Sequence, residues 1–145
     1  MAKTTFKADV KLMGKGTYCE GTSRDFTVGI DEPKELGGTD KAMNPVEMLL
    51  NALGGCMSIC AASFAKKNGV KLDGCRVEVE GDLDPDGFLR INPEAPNGFS
   101  EIRYNIIIDS PSPQENIEKL IAHIEDVCPV SNTLQGVKVI RKCNK

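Results

Sequence analysis

The chain has 145 residues, of which 40% are hydrophobic and 27% charged, and a formal net charge of −3. That balance excludes a disordered or low-complexity chain, and the acidic excess argues against nucleic-acid binding through a basic surface. A chain of this length buries roughly 70% of its extended surface, enough for a single domain over residues 1–145 with its own core. No apolar run reaches the length of a membrane span, and Met1-Ala2-Lys3-Thr4-Thr5 lacks the apolar stretch of an export signal. The expectation is a soluble, cytoplasmic protein with no membrane partner.

Residues 3–31 read as β structure. Phe6, Ala8, Val10 and Leu12 alternate with polar residues, Gly14-Lys15-Gly16 marks a turn, and Phe26, Val28 and Ile30 resume the alternation, so a hairpin is expected. Asp31-Glu32-Pro33 ends it, because proline removes a ladder donor. A helix starts at Asn44-Pro45-Val46-Glu47: Asn44 can cap, Pro45 suits the first helical position, and Glu47 completes a capping-box pattern. From Met48 to Ala65 the residues are apolar on nearly every side, which predicts a buried central helix stopped by Lys66-Lys67-Asn68-Gly69. Gly54-Gly55 in its middle predicts close approach of another backbone, with the segment around Cys128 as a candidate.

Leu72–Leu83 reads as a strand and Asp84-Pro85-Asp86-Gly87 as a turn, followed by a proline-rich loop over 92–98. Ile102–Asp109 is a further strand with Ile102, Tyr104, Ile106 and Ile108 on one face. Ser112-Pro113-Gln114-Glu115 reads as the capped start of a second helix. Its Ile117, Leu120, Ile121 and Ile124 follow the i, i+3, i+4, i+7 spacing of an amphipathic face. Pro129 ends or redirects that helix, and Val137 and Val139 belong to a last short strand.

Chemistry rests on Cys19, Cys56, Cys60, Cys75, Cys128 and Cys143, with His123 the single histidine. There is no Cys-x-x-Cys pair to suggest a zinc ribbon or a thioredoxin-type site. Cys56 and Cys60 share a helix face, and with Cys128 and His123 they form a conceivable metal set; the plainer reading of each cysteine is packing. His123 reads as a surface residue. Cys128 stands before Pro129, so it can cap a new helix, where unsatisfied N–H groups stabilise a thiolate; the alternative is a buried cysteine at a kink. Cys56 follows the glycine pair. Glu47, nine residues earlier, projects from roughly the opposite side of the helix, so it suits a site built from two chains better than one within a chain.

Four blocks together resemble the OsmC/Ohr superfamily of osmotically inducible and organic-hydroperoxide-resistance proteins. They are Glu35-Leu36-Gly37-Gly38, Asn44-Pro45-Val46-Glu47-Met48-Leu49-Leu50, Ala52-Leu53-Gly54-Gly55-Cys56 and Cys128-Pro129-Val130-Ser131. The resemblance implies an α+β fold, with antiparallel sheets wrapped around a long buried central helix in an intertwined homodimer whose sites lie at the subunit interface. It also implies a thiol-dependent peroxidase without a cofactor or metal. Cys56 would attack an organic hydroperoxide and Cys128 would resolve the sulfenic acid as a disulfide, which an external dithiol reduces. Where the organic-hydroperoxide branch has glutamate directly after Asn-Pro, this chain has Val46, and Glu47 is the neighbouring acid. The branch's arginine has only Arg24 as a counterpart, which reads as a surface charge. A pocket of Met48, Leu53, Met57 and Phe64, or their symmetry mates, would favour apolar peroxides. The alternative within the same fold is a redox sensor or small-ligand-binding protein without turnover.

Overall fold

The computed structural model of the chain describes residues 2–142; Cys143 lies outside them. The chain divides into two compact units, one up to Leu49 and one from Leu50 onward. The fold is mixed α+β.

In the N-terminal unit, β1 (Asp9–Leu12), β2 (Cys19–Ser23) and β3 (Phe26–Ile30) form an antiparallel sheet in sequence order. The expected hairpin is thus a three-stranded meander. Its middle strand, Cys-Glu-Gly-Thr-Ser, carries no apolar alternation because Gly21 supplies the packing by its smallness. Gly21 pairs with Val10 on one side and Val28 on the other, and a Cβ built on it would sit 3.6 Å from a methyl of each. Phe6 precedes β1 and is 90% exposed, so its place in the alternation marks no buried face. Arg24 turns the chain between β2 and β3 with φ 54°, and its guanidinium lies 4.9 Å from the Phe26 ring centre.

The loop after β3 is gathered around one carboxylate. Asp31 is buried and accepts hydrogen bonds from the hydroxyls of Thr17 and Thr39 and from the backbone N–H groups of Glu32, Thr39 and Lys41. These donors, led by Thr17, hold its pKa far below the usual carboxylate range. Helix α1 (Pro45–Phe64) then begins as the sequence predicts: the Glu47 N–H donates to Asn44 Oδ1 at 2.9 Å, and Pro45 takes the first helical position.

The C-terminal unit is built on β4 (Gly74–Leu83), β5 (Phe99–Asp109) and β6 (Lys138–Arg141). Strands β4 and β5 are antiparallel over their whole length, whereas β6 joins β5 in parallel, with Ile102 opposite Val139. Between β4 and β5 the expected turn is a single helical turn, α2 (Pro85–Phe88), capped where the Asp86 N–H donates to Asp84 Oδ1. Helix α3 (Gln114–Val127) and the short α4 (Pro129–Thr133) follow β5.

The core sits where α1 and α3 meet one face of this sheet. Leu53, Met57, Cys60 and Ala61 of α1 meet Ile102, Tyr104 and Ile106 of β5 and Ile117, Leu120, Ile121 and Ile124 of α3. The whole predicted stripe of α3 is buried. Its predicted cap is not formed: Ser112 Oγ accepts from the Lys71 N–H at 2.8 Å, and Pro113 takes the N-cap position without a side-chain bond.

Helix α1 also differs from expectation, because it buries one stripe rather than every side. Its buried residues are Leu53, Gly54, Met57, Cys60 and Ala61, while Ile59 is 69% exposed. The physical reason is that one chain offers the helix only one sheet face. By length and composition alone, with mean hydropathy 1.4, its 20 residues pass as a membrane span, contrary to the sequence reading; its buried stripe packs instead on β5 and α3. The prediction of a close backbone holds for Gly54, whose Cβ would lie 3.2 Å from Val79 Cγ2 and 3.7 Å from the Val77 carbonyl oxygen. The neighbour is β4, not the Cys128 segment, and Gly55 faces open space.

Candidate thiol site

Three sulfurs converge inside the C-terminal unit. Cys56 and Cys60 lie one turn apart on α1, and Cys128 occupies the joint between α3 and α4. Cys60 and Cys128 belong to the buried core, with Cys56 packed against it half-buried. The thiols act on one another: Cys56 and Cys60 both raise the pKa of Cys128, and both Cys56 and Cys128 influence Cys60. The sequence places Cys60 on the face of Cys56 and joins it to Cys128 only in the conceivable metal set, not in the redox pair. The i+4 spacing was the available signal.

The Cys128 joint is held from both sides. Its N–H closes α3 by donating to the Ile124 carbonyl at 3.0 Å, and Pro129 starts α4. Its carbonyl accepts from the backbone N–H of Asn132 at 3.0 Å and from Asn132 Nδ2 at 2.8 Å. Cys128 therefore is the N-cap of a short helix, as its place before proline predicts. Of the two readings of Cys128, the cap-stabilised thiolate does not follow, and the buried cysteine at a kink does. Burial pushes the Cys128 pKa up to about 11; the Ser131 backbone opposes this, and the neighbouring Cys56 and Cys60 add to it. Cys128 is a neutral thiol near pH 7. Cys60 is raised too, first by burial and then by Cys56. Beside the cluster, the phenol of Tyr104 is pushed up to about 12 by burial and by Glu125, whose carboxylate also meets Arg141 Nε at 3.1 Å.

The other candidates lie elsewhere. Cys75 is raised by burial, opposed by the Ser58 hydroxyl, and lines a separate open cleft of about 490 Å³ with Leu50, Asn51, Gly54, Gly55, Arg76, Val77 and Val79. Of the residues named for an apolar pocket, Leu53 and Met57 are fully buried in the core within this chain, and Phe64 lies against the His123 ring, tilted by 31° with ring centres 4.3 Å apart. His123 is accordingly half-buried rather than a plain surface residue. Asn68 Nδ2 donates to its Nδ1 at 3.0 Å and to the Phe64 carbonyl at 2.9 Å. Among the described residues no three His, Cys, Asp or Glu side chains are arranged to hold a metal ion. Glu47 is exposed in the first turn of α1, in the N-terminal unit.

This arrangement can be set beside known proteins. Residues 38–141 match the family model described as OsmC-like protein. A protein named hydroperoxide reductase from Mycoplasma genitalium is 28% identical over 127 residues, covering 86% of this chain and 84% of that protein. One of the same name from Mycoplasma pneumoniae is 28% identical over 134 residues, covering 90% and 87%. The crystal structure of an OsmC-like protein from Mycoplasma pneumoniae superposes with a TM-score of 0.83 at 23% identity, covering 99% of this chain and 98% of that one. An organic hydroperoxide resistance protein OsmC from Legionella pneumophila gives 0.70 at 23% identity, covering 99% and 100%. With a matched family segment over most of its length and the same fold, the chain belongs to the OsmC-like protein family.

Proposed function

We propose that the protein is a cysteine-based peroxidase that reduces organic hydroperoxides, with Cys56 as the attacking thiol and Cys128 as the resolving one. The observation that carries this reading is the convergence of Cys56 and Cys128, far apart in the chain, in one buried thiol cluster. The names of the Mycoplasma relatives support it.

The chemistry divides along the difference between the two sulfurs. Cys56 is the more accessible, and its thiolate attacks the terminal oxygen of the hydroperoxide. An S–O bond forms, the O–O bond breaks, and the alkoxide leaves as the alcohol after taking a proton, so Cys56 becomes a sulfenic acid. Cys128, kept neutral and out of water, then attacks that sulfur. An S–S bond forms and the oxygen leaves as water with the Cys128 proton. An external dithiol restores both thiols by exchange and is itself oxidised to a disulfide. Glu47 belongs to this proposal as a charge supplied across an interface between two copies. The exposed apolar side of α1, marked by Ile59, supports a homodimer in which a second copy covers that side.

The test is consumption of cumene or tert-butyl hydroperoxide in the presence of a dithiol. Turnover that is lost in Cys56→Ser, with Cys128→Ser reduced to a single turnover, is the expected result. Disulfide formation without turnover would establish the sensor reading instead. Absence of both would overturn the proposal.

A further inference from the structure

We propose that Cys60 is a third redox thiol of the cluster, placed to take the disulfide over from Cys56 by pairing with Cys128. The inference rests on the proposed peroxidase reading for the origin of the first disulfide and extends it to a residue that reading does not use.

Three observations carry it. Cys60 lies one helical turn beyond Cys56 on the same face of α1, and that face is the one packed into the core that contains Cys128. Cys60 interacts with both of the other thiols. It is also a free thiol with 7% exposure, while Cys128 has none, so any bond between these two is enclosed.

Geometry selects the partner. Residues four apart on a helix hold their Cβ atoms about 5–6 Å from each other. A disulfide needs about 3.5–4.5 Å. A Cys56–Cys60 bridge would therefore distort α1, whereas Cys128 approaches from a separate segment and is under no such restriction.

The step is an exchange with no net oxidation. The Cys60 thiolate attacks Cys128 Sγ within the Cys56–Cys128 disulfide; the Cys60–Cys128 bond forms, the old bond breaks, and Cys56 leaves as a thiolate that takes up the proton lost by Cys60. The consequence is a change of access. The first bridge has one half-buried sulfur that a reductant can reach, and the second has two enclosed ones. Exchange thus moves the oxidised state into a form reduced more slowly and keeps Cys128 engaged while it lasts.

The test maps disulfides directly. Wild-type protein is treated with cumene hydroperoxide, and separately the wild type and Cys56→Ser are treated with diamide, which oxidises dithiols without a peroxidase reaction. After acid quenching, unfolding and alkylation, peptide mass spectrometry with fragmentation between positions 56 and 60 assigns the bridges. The expected result is a Cys60–Cys128 bridge beside Cys56–Cys128 in the wild type, and Cys60–Cys128 alone in Cys56→Ser. Re-reduction of the wild type by dithiothreitol should show two phases, the slower one lost in Cys60→Ala. Complete recovery of alkylated Cys60 in every sample would overturn the inference, and the wild-type sample decides this even if a variant folds poorly. A hydroperoxide-formed Cys56–Cys128 bridge without any Cys60 bridge would leave the peroxidase reading standing alone. A diamide-formed Cys60–Cys128 bridge with no reaction toward hydroperoxide would do the reverse.

Discussion

Gly54 of α1 and Val79 of β4 meet so closely that a Cβ on the glycine would lie 3.2 Å from Val79 Cγ2. That contact sets how near the thiol-bearing helix lies to its sheet. Two effects compete on substitution. Alanine gains about 1 kcal/mol of helix propensity over glycine but compresses the contact. Gly54→Ala should therefore stay within about 1 kcal/mol of the parent. Gly54→Leu, with no room for its branch, should lose roughly 2 kcal/mol. Urea midpoints measure both, and a leucine variant as stable as the parent would contradict the packing described.

Oxidation should stabilise the fold. A Cys56–Cys128 bridge closes a loop of about 72 residues, worth roughly 4 kcal/mol in the chain-entropy model. Calorimetry of oxidised and reduced protein should show a higher Tm for the oxidised form, with the difference abolished in Cys128→Ser. Equal midpoints for the two forms would speak against a bridge at this position.

Alkaline pH should weaken the reduced protein through Cys128. Its folded pKa, pushed up to about 11, exceeds the roughly 8.5 of an unfolded cysteine. Between those values the unfolded chain holds fewer protons, so stability falls as pH rises. The contribution is complete below about pH 8.5 and lost through about pH 11. In Cys128→Ala the alkaline decline should be shallower, as read from denaturant unfolding at a series of pH values.

Asp31 predicts the opposite sign at the other end of the scale. Its pKa is depressed in the fold, so its contribution is present above the ordinary carboxylate value near 4 and fades as pH falls below it. Asp31→Asn should increase hydrogen exchange at the Thr39 and Lys41 amides, which donate to that carboxylate, while amides of β5 remain protected. Unchanged exchange at those two amides would remove Asp31 as the anchor of the loop.

What the sequence revealed follows the range of the forces involved. The start of α1 was legible because Asn44, Pro45 and Glu47 act within one turn, and the buried face of α3 was legible because its period is local. Ser112 was misread because its true partner, the Lys71 N–H, lies 41 positions away and competes with the cap. Strand β2 was invisible because Gly21 packs through the absence of a side chain. Cys56 and Cys128 stand out by local context, the glycine pair before one and the proline after the other, while their attacking and resolving roles come from resemblance to a family. The enclosure of Cys128, which reverses the acidity a helix cap alone would give it, depends on residues from α1, β5 and α3 together, and no local motif encodes it.

The double grip of Asn132 on the Cys128 carbonyl makes that joint the stationary jaw of the thiol cluster. With the backbone clamped, a bond to Cys128 forms and breaks by rotation of side chains and adjustment of α1, and neither α3 nor α4 has to melt. Far-ultraviolet circular dichroism should accordingly pass through a redox cycle almost unaltered, the chemistry leaving its mark on mass and melting temperature instead.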